Sequence, residues 1–237
     1  MEEMERNIDL EFKLVLGKPI LVEKVGFLYP LNINEIVNMG IMTYYQLISL
    51  IVCDIEEIKK IDKNCSSTLE SIIKISLETN ENKIIILNFL STLFREQVNL
   101  NDVGFLSLGN VEEKTLRIID SDSYEEIKRI LMHQNCIKKP EKKSKKLLKF
   151  EARLAKMRKK YGKENDTSLI EIVSAISAKH PSINLLNVGE LTIYQLYDQL
   201  TRLNMIESYN FNFEAMCNGA SSDDVKTKHW SSRIDNE

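Results

Sequence analysis

The groups that could carry chemistry are few and scattered. His133, His180 and His229 lie far apart, and none stands in an H-E-x-x-H or H-x-E…C-x-x-C arrangement, so the spacing that sets two ligands on one metal is missing. No G-x-x-x-x-G-K-[ST], G-x-G-x-x-G or G-x-S-x-G sequence occurs, which removes the familiar phosphate cradles and the nucleophile elbow. The acidic groups Asp120-Ser121-Asp122, Glu125-Glu126 and Asp223-Asp224 read as helix-start and loop charges rather than metal ligands. Cys53, Cys65, Cys136 and Cys217 form no C-x-x-C pair and read as reduced, partly buried thiols. The expectation is a binding or assembly protein that is not an enzyme, with no catalytic residues, no metal and no cofactor.

What stands out instead is charge. Residues 138–160 hold twelve Lys or Arg against Glu141 and Glu151, a local +10 in a chain whose net charge is −3. Clustered Lys and Arg attract a polyanion or an acidic protein face. The basic patch is Lys142, Lys143, Lys145, Lys146, Lys149 and Arg153. Within the same stretch Leu147, Phe150, Leu154, Met157 and Tyr161 recur at spacings of three and four, which places them on one seam of a helix. Because Phe150 and Tyr161 sit on that seam, no aromatic is left over to stack on bases. Two readings stay open: a docking or linking helix, and, as the alternative, a nucleic-acid-binding segment.

Two aromatic groups are further candidates for partner binding. Tyr194 and Tyr197, with Tyr209, Phe211 and Phe213, could form a surface that combines apolar area with polar tips, or could simply be core at helical spacing. Trp230, the one tryptophan, stands in a polar tail, where exposing it is costly unless it docks on its own domain or on a partner.

The elements that must position these residues are mostly helical. Residues 10–16 alternate apolar and charged before Gly17-Lys18-Pro19, and 20–22 and 25–29 resume the pattern, which predicts a small β-meander. Asn32 followed by Glu35 is a helix start, and Gly40 a stop. Helices are then expected over 43–53, 54–61, 67–79 and 83–97, the last apolar on nearly every side and therefore central. Strands over 105–108 and 115–119 fit a hairpin, followed by a helix from Ser121 or Ser123 to about Gln134. Beyond the basic stretch, residues 168–179 form an amphipathic helix. Thr192 with Gln195 opens a long one, and 211–218 forms a last short helix before Gly219. Leu31-Asn32-x-x-Glu35 and Thr43-x-Tyr45-Gln46-Leu47 have echoes in Leu186-Asn187-x-x-Glu190 and Thr192-x-Tyr194-Gln195-Leu196. The unequal intervals between the pieces favour a shared helix-start grammar over duplication.

The fold class is thus mainly α with a minor β component. An α+β N-terminal domain (1–139) is followed by a basic linking helix (140–162), a small all-α C-terminal domain (163–219) and a polar tail (220–237). The start Met1-Glu2-Glu3-Met4-Glu5-Arg6 is acidic where a secretory signal is basic, and no apolar run reaches the roughly 20 residues that cross a bilayer. A cytoplasmic protein without a membrane partner is expected.

The stretch Ile183-Asn184-Leu185-Leu186-Asn187-Val188-Gly189-Glu190-Leu191-Thr192-Ile193-Tyr194-Gln195-Leu196-Tyr197-Asp198-Gln199-Leu200 resembles a group of phage or prophage proteins of Gram-positive bacteria. So do Leu14-Val15-Leu16-Gly17-Lys18-Pro19-Ile20 with Tyr29-Pro30, Gln134-Asn135-Cys136, and Gly219-Ala220 with Lys226-x-Lys228-His229-Trp230-Ser231. Proteins of this kind are similar to tail assembly chaperones, which keep the helical tape-measure protein soluble while the tail tube polymerises around it. The resemblance implies a virion-assembly role in the host cytoplasm, with a tape-measure or tail-tube protein as partner and no active site. It carries over no site residues. Where a large aromatic is expected before the acidic residue at the long helix's start, this chain has Gly189.

Overall fold

The computed structural model describes residues 2–101, 104–109, 116–137, 168–221 and 228–234. The protein is mainly α with a minor β component, in two compact units. The first comprises Met1–Cys136 with Gly189–Asp198, the second Ile137–Val188 with Gln199–Glu237.

The first unit opens with helix α1 (Glu2–Val15), where the alternation at 10–16 predicts a strand. Leu10 and Leu14 are buried while Phe12 and Leu16 face solvent. Over seven residues an i, i+4 pair and an alternation share Leu10 and Leu14 but differ at Phe12 and Leu16, and the Asp9–Lys13 ion pair at 2.6 Å supports the helical solution. Gly17, at φ +61°, ends the helix, with Lys18 N–H bonded to Lys13 O and Gly17 N–H to Leu14 O in a Schellman closure. Strands β1 (Ile20–Val22) and β2 (Gly26–Leu28) then pair antiparallel, with Ile20 opposite Leu28.

Helix α2 (Ile33–Met39) carries the expected Asn32/Glu35 capping box and stops at Gly40, where α3 (Ile41–Val52) leaves at 98°. This apolar pair buries Ile36, Tyr44, Ile48 and Ile51. Helices α4 (Ile55–Ile61), α5 (Thr68–Glu78) and α6 (Asn80–Phe94) follow. The central position expected of α6 holds on one face only, for Phe89, Leu90, Leu93 and Phe94 are buried while Ile84 and Ile85 are exposed. A three-stranded antiparallel sheet comes next, ordered β3 (Val98–Leu100), β4 (Leu106–Leu108), β5 (Arg117–Ile119). The sequence reading has no β3, whose three residues are too short for alternation to register. Asp120, rather than a serine, caps helix α7 (Ser121–Gln134), and the buried Tyr124 hydroxyl donates to Ile51 O at 3.1 Å.

Gly189–Asp198, which the sequence reading assigns to a C-terminal domain, is packed within the first unit. Ile33 N–H donates to Leu191 O at 2.9 Å, Asn32 and Thr192 form an antiparallel bridge, and Ile193 and Leu196 are buried. Gln195 reaches Val15 O at 3.0 Å with its amide, beside Gly17.

In the second unit, helix α8 (Leu169–Lys179) buries Leu169, Ile172 and Ile176. A turn leads through the 3-10 segment Val188–Glu190 to helix α9 (Ile193–Cys217), whose first turns belong to the first unit. The separate short helix expected over 211–218 is instead the end of α9, because no Gly or Pro interrupts residues 204–210. Among the described residues no single helix is long and apolar enough to cross a membrane.

Candidate functional site

Among the described residues, the most exposed apolar side chains of the second unit sit on a loop braced by hydrogen bonds. His180 Nδ1 accepts from Ser182 N–H at 3.2 Å and Ile183 N–H at 3.0 Å. Asn184 Oδ1 accepts from Leu186 N–H at 2.9 Å, Asn187 Oδ1 from Asn184 N–H at 2.7 Å, and Asn187 Nδ2 donates to Ser182 O at 2.9 Å. Each bond closes a local turn of the kind asparagine favours. At the tip, Leu185 is 76% exposed and Leu186 96% exposed. Ile170 on α8 is also exposed.

The tail is fastened to α9 by main-chain recognition. Arg202 Nη1 donates to Ser232 O at 2.6 Å and Trp230 O at 3.1 Å, which holds the backbone without using the indole. His229 packs edge-on to Tyr209 with centroids 5.2 Å apart, and Trp230 lies against His229 at 5.3 Å. Trp230 itself remains 44% exposed, so the tail is anchored by its neighbours. Between helix and tail runs a groove of about 380 Å³, floored by Thr201, Ser208 and Asn212 and walled by Lys228 and Arg233.

In the first unit a polar cluster surrounds the end of α7. Tyr44, buried, donates its hydroxyl to Asn135 Oδ1 at 2.6 Å, and burial pushes the Tyr44 phenol well above its ordinary range. Cys136, at φ +54°, is exposed over the whole residue, yet the atoms crowding its thiol and then the Asp198 carboxylate push its pKa up to about 11. Tyr197 is half-buried beside it and is likewise raised, first by burial and then by Cys136. The structure therefore places Tyr194 and Tyr197 in the first unit and Trp230 in the second. Cys217 is also exposed, where partly buried thiols are expected, because α9 leaves its last turn open to solvent.

Lys142, Lys143, Lys145, Lys146, Lys149 and Arg153, with Leu147, Phe150, Leu154 and Met157, lie outside the described residues. Among the described residues no group of three His, Cys, Asp or Glu is placed to hold a metal ion. The residues that sequence reasoning missed are Leu185 and Leu186. Their signal is the surrounding Asn184, Asn187 and His180-Pro181, turn formers that keep two adjacent leucines out of a helix.

Residues 159–235 match the family model of the YomV second domain, a family of phage or prophage type. The matched stretch contains α8, the Leu185–Leu186 loop, α9 and the anchored tail. No curated protein and no solved structure matches the chain. The match supports a phage or prophage origin.

Proposed function

We propose that the protein is a phage tail assembly factor that acts in the host cytoplasm, holding a helical structural partner such as the tape-measure or tail-tube protein without catalysing a reaction. The observation that supports this reading best is the braced display of Leu185 and Leu186 inside the stretch that matches a phage-type domain. Apolar side chains gain about 25 cal/mol per Å² when a partner covers them, and a loop already fixed loses little entropy on binding. Such a pair supplies apolar contact area to a larger interface.

Co-expression with the tape-measure or tail-tube protein of the same source is expected to give a complex that co-elutes. Leu185→Asp with Leu186→Asp is expected to weaken it at least tenfold while leaving thermal stability unchanged, since both side chains are already in water. Separate elution of the unaltered proteins overturns the reading.

The charge segregation favours a second reading, nucleic-acid binding through residues 138–160. It requires DNA or RNA affinity that falls steeply with salt and vanishes when Lys142, Lys143, Lys145 and Lys146 are changed to Gln. Unchanged binding after those substitutions removes it.

A further inference from the structure

The bridge between Asn32 and Thr192 joins two stretches of one pattern. Leu31-Asn32-Ile33-Asn34-Glu35-Ile36 and Leu191-Thr192-Ile193-Tyr194-Gln195-Leu196 each read Leu, capping residue, Ile, any residue, Glu or Gln, aliphatic. Both close a capping box. Glu35 N–H donates to Asn32 Oδ1 and Asn32 N–H to Glu35 Oε2, each at 2.9 Å. Thr192 N–H donates to Gln195 Oε1 at 2.9 Å and Gln195 N–H to Thr192 Oγ1 at 3.2 Å. Both send the same two positions into the core, Ile33 with Ile36 and Ile193 with Leu196. Because the pairing is antiparallel and centred on equivalent positions, the two helix starts face each other about an approximate local two-fold.

The bonds that hold the Gly189–Asp198 piece to the rest of the first unit are local. Among them are Ile33 N–H to Leu191 O at 2.9 Å, Gln195 Nε2 to Val15 O at 3.0 Å and Asn34 Nδ2 to Glu190 Oε1 at 3.0 Å. The piece includes, as residues 193–198, the first turns of a 25-residue helix. In sequence it is separated from the rest of the unit by residues 137–188.

We propose that the seat for Gly189–Asp198 in the first unit is an exchange site, which in a two-fold dimer takes the same segment from a second copy. A second copy fits by identity, since every hydrogen bond and buried aliphatic of the seat is reproduced without new complementarity. Reciprocal exchange fills both seats, which closes the assembly at two. The chain's own segment competes at an effective concentration on the order of mM. The exchanged form therefore becomes populated when the protein is refolded at comparably high concentration.

The test uses two full-length copies with different tags, both carrying Cys53→Ser, Cys136→Ser and Cys217→Ser. One copy also has Asn34→Cys and the other Glu190→Cys, so neither can bridge the seat within itself. The two are denatured together, refolded at high concentration and treated with a short bismaleimide. A linked pair of the two tags is expected, at least fivefold more abundant than in a comparison pair. The comparison pair replaces Glu190→Cys with Glu214→Cys, on the same helix but outside the seat. Linkage no greater than in that pair overturns the proposal, as does a wild-type protein that stays monomeric by light scattering after the same refolding.

Discussion

At the scale of single residues, Gly189 shows how a departure from an expected pattern acquires a cause. A Cβ at this position would lie 2.1 Å from Asn34 Oδ1, so no larger side chain fits while Asn34 holds Glu190. Gly189→Ala must displace the Asn34 side chain and forfeit that hydrogen bond, a net loss of about 1 kcal/mol. Asn34→Ala forfeits the same bond directly. Chemical denaturation is therefore expected to show each single variant destabilised by about this amount and the double variant little worse than either, because the two changes remove one shared interaction. Additive losses would mean that Gly189 serves a separate purpose. The sequence shows the glycine but not its reason, which lies in a residue 155 positions earlier in the chain. The turn formers around Leu185 and Leu186 stand in the sequence but read there as a helix start, and the hydrogen-bond geometry that braces the loop shows only in the structure.

Elements were most legible where local chemistry decides them. The caps at Asn32 and Thr192 were readable because a side chain three residues from its backbone partner is a local event. Misreadings arose where context decides. Residues 10–16 satisfy both periodicities, and α9 passes through Tyr209 and Asn210 because nothing in the chain stops it. The start of α5 carries a pH-dependent contribution of its own. Hydrogen bonds from the Ser66 hydroxyl and Ser66 N–H, then from Lys74 at 3.0 Å, lower the Glu70 carboxyl from its ordinary 4.5 to about 2. Asp62, bonded by Asn64 N–H at 2.9 Å and Lys74 at 3.2 Å, is lowered too. A depressed folded-state value means that stability from these groups is present above the unfolded pKa and is lost as pH falls through the folded one. Glu70→Gln is expected to flatten the fall in stability between about pH 4.5 and 2, followed by denaturant midpoints across that range. Both carboxylates face solvent, so high salt should reduce the difference between variant and wild type. An unchanged acid limb in the variant would assign the acid sensitivity to other groups.

For the whole molecule, composition was enough to indicate a mainly helical protein with little sheet, whereas the partition of the chain was hidden. Sequence boundaries fall where composition changes, at the basic stretch, but packing follows the buried side chains of Ile193 and Leu196 into the first unit. The matched second-domain stretch therefore contains a piece of the first unit's core. Truncation separates the two descriptions. A chain ending at Cys136 lacks both aliphatics, each worth about 1.5–3 kcal/mol when fully buried, and exposes the apolar surface that they cover. Against a typical total of about 5–15 kcal/mol, that loss is a large fraction of stability. A chain of residues 1–198 keeps the piece attached. It is expected to unfold cooperatively, while residues 1–136 melt roughly 10 °C or more lower and bind an apolar-surface dye. If the shorter chain is as stable as the longer one, Gly189–Asp198 only rests on the first unit, and the helix start it contains belongs to the second domain alone.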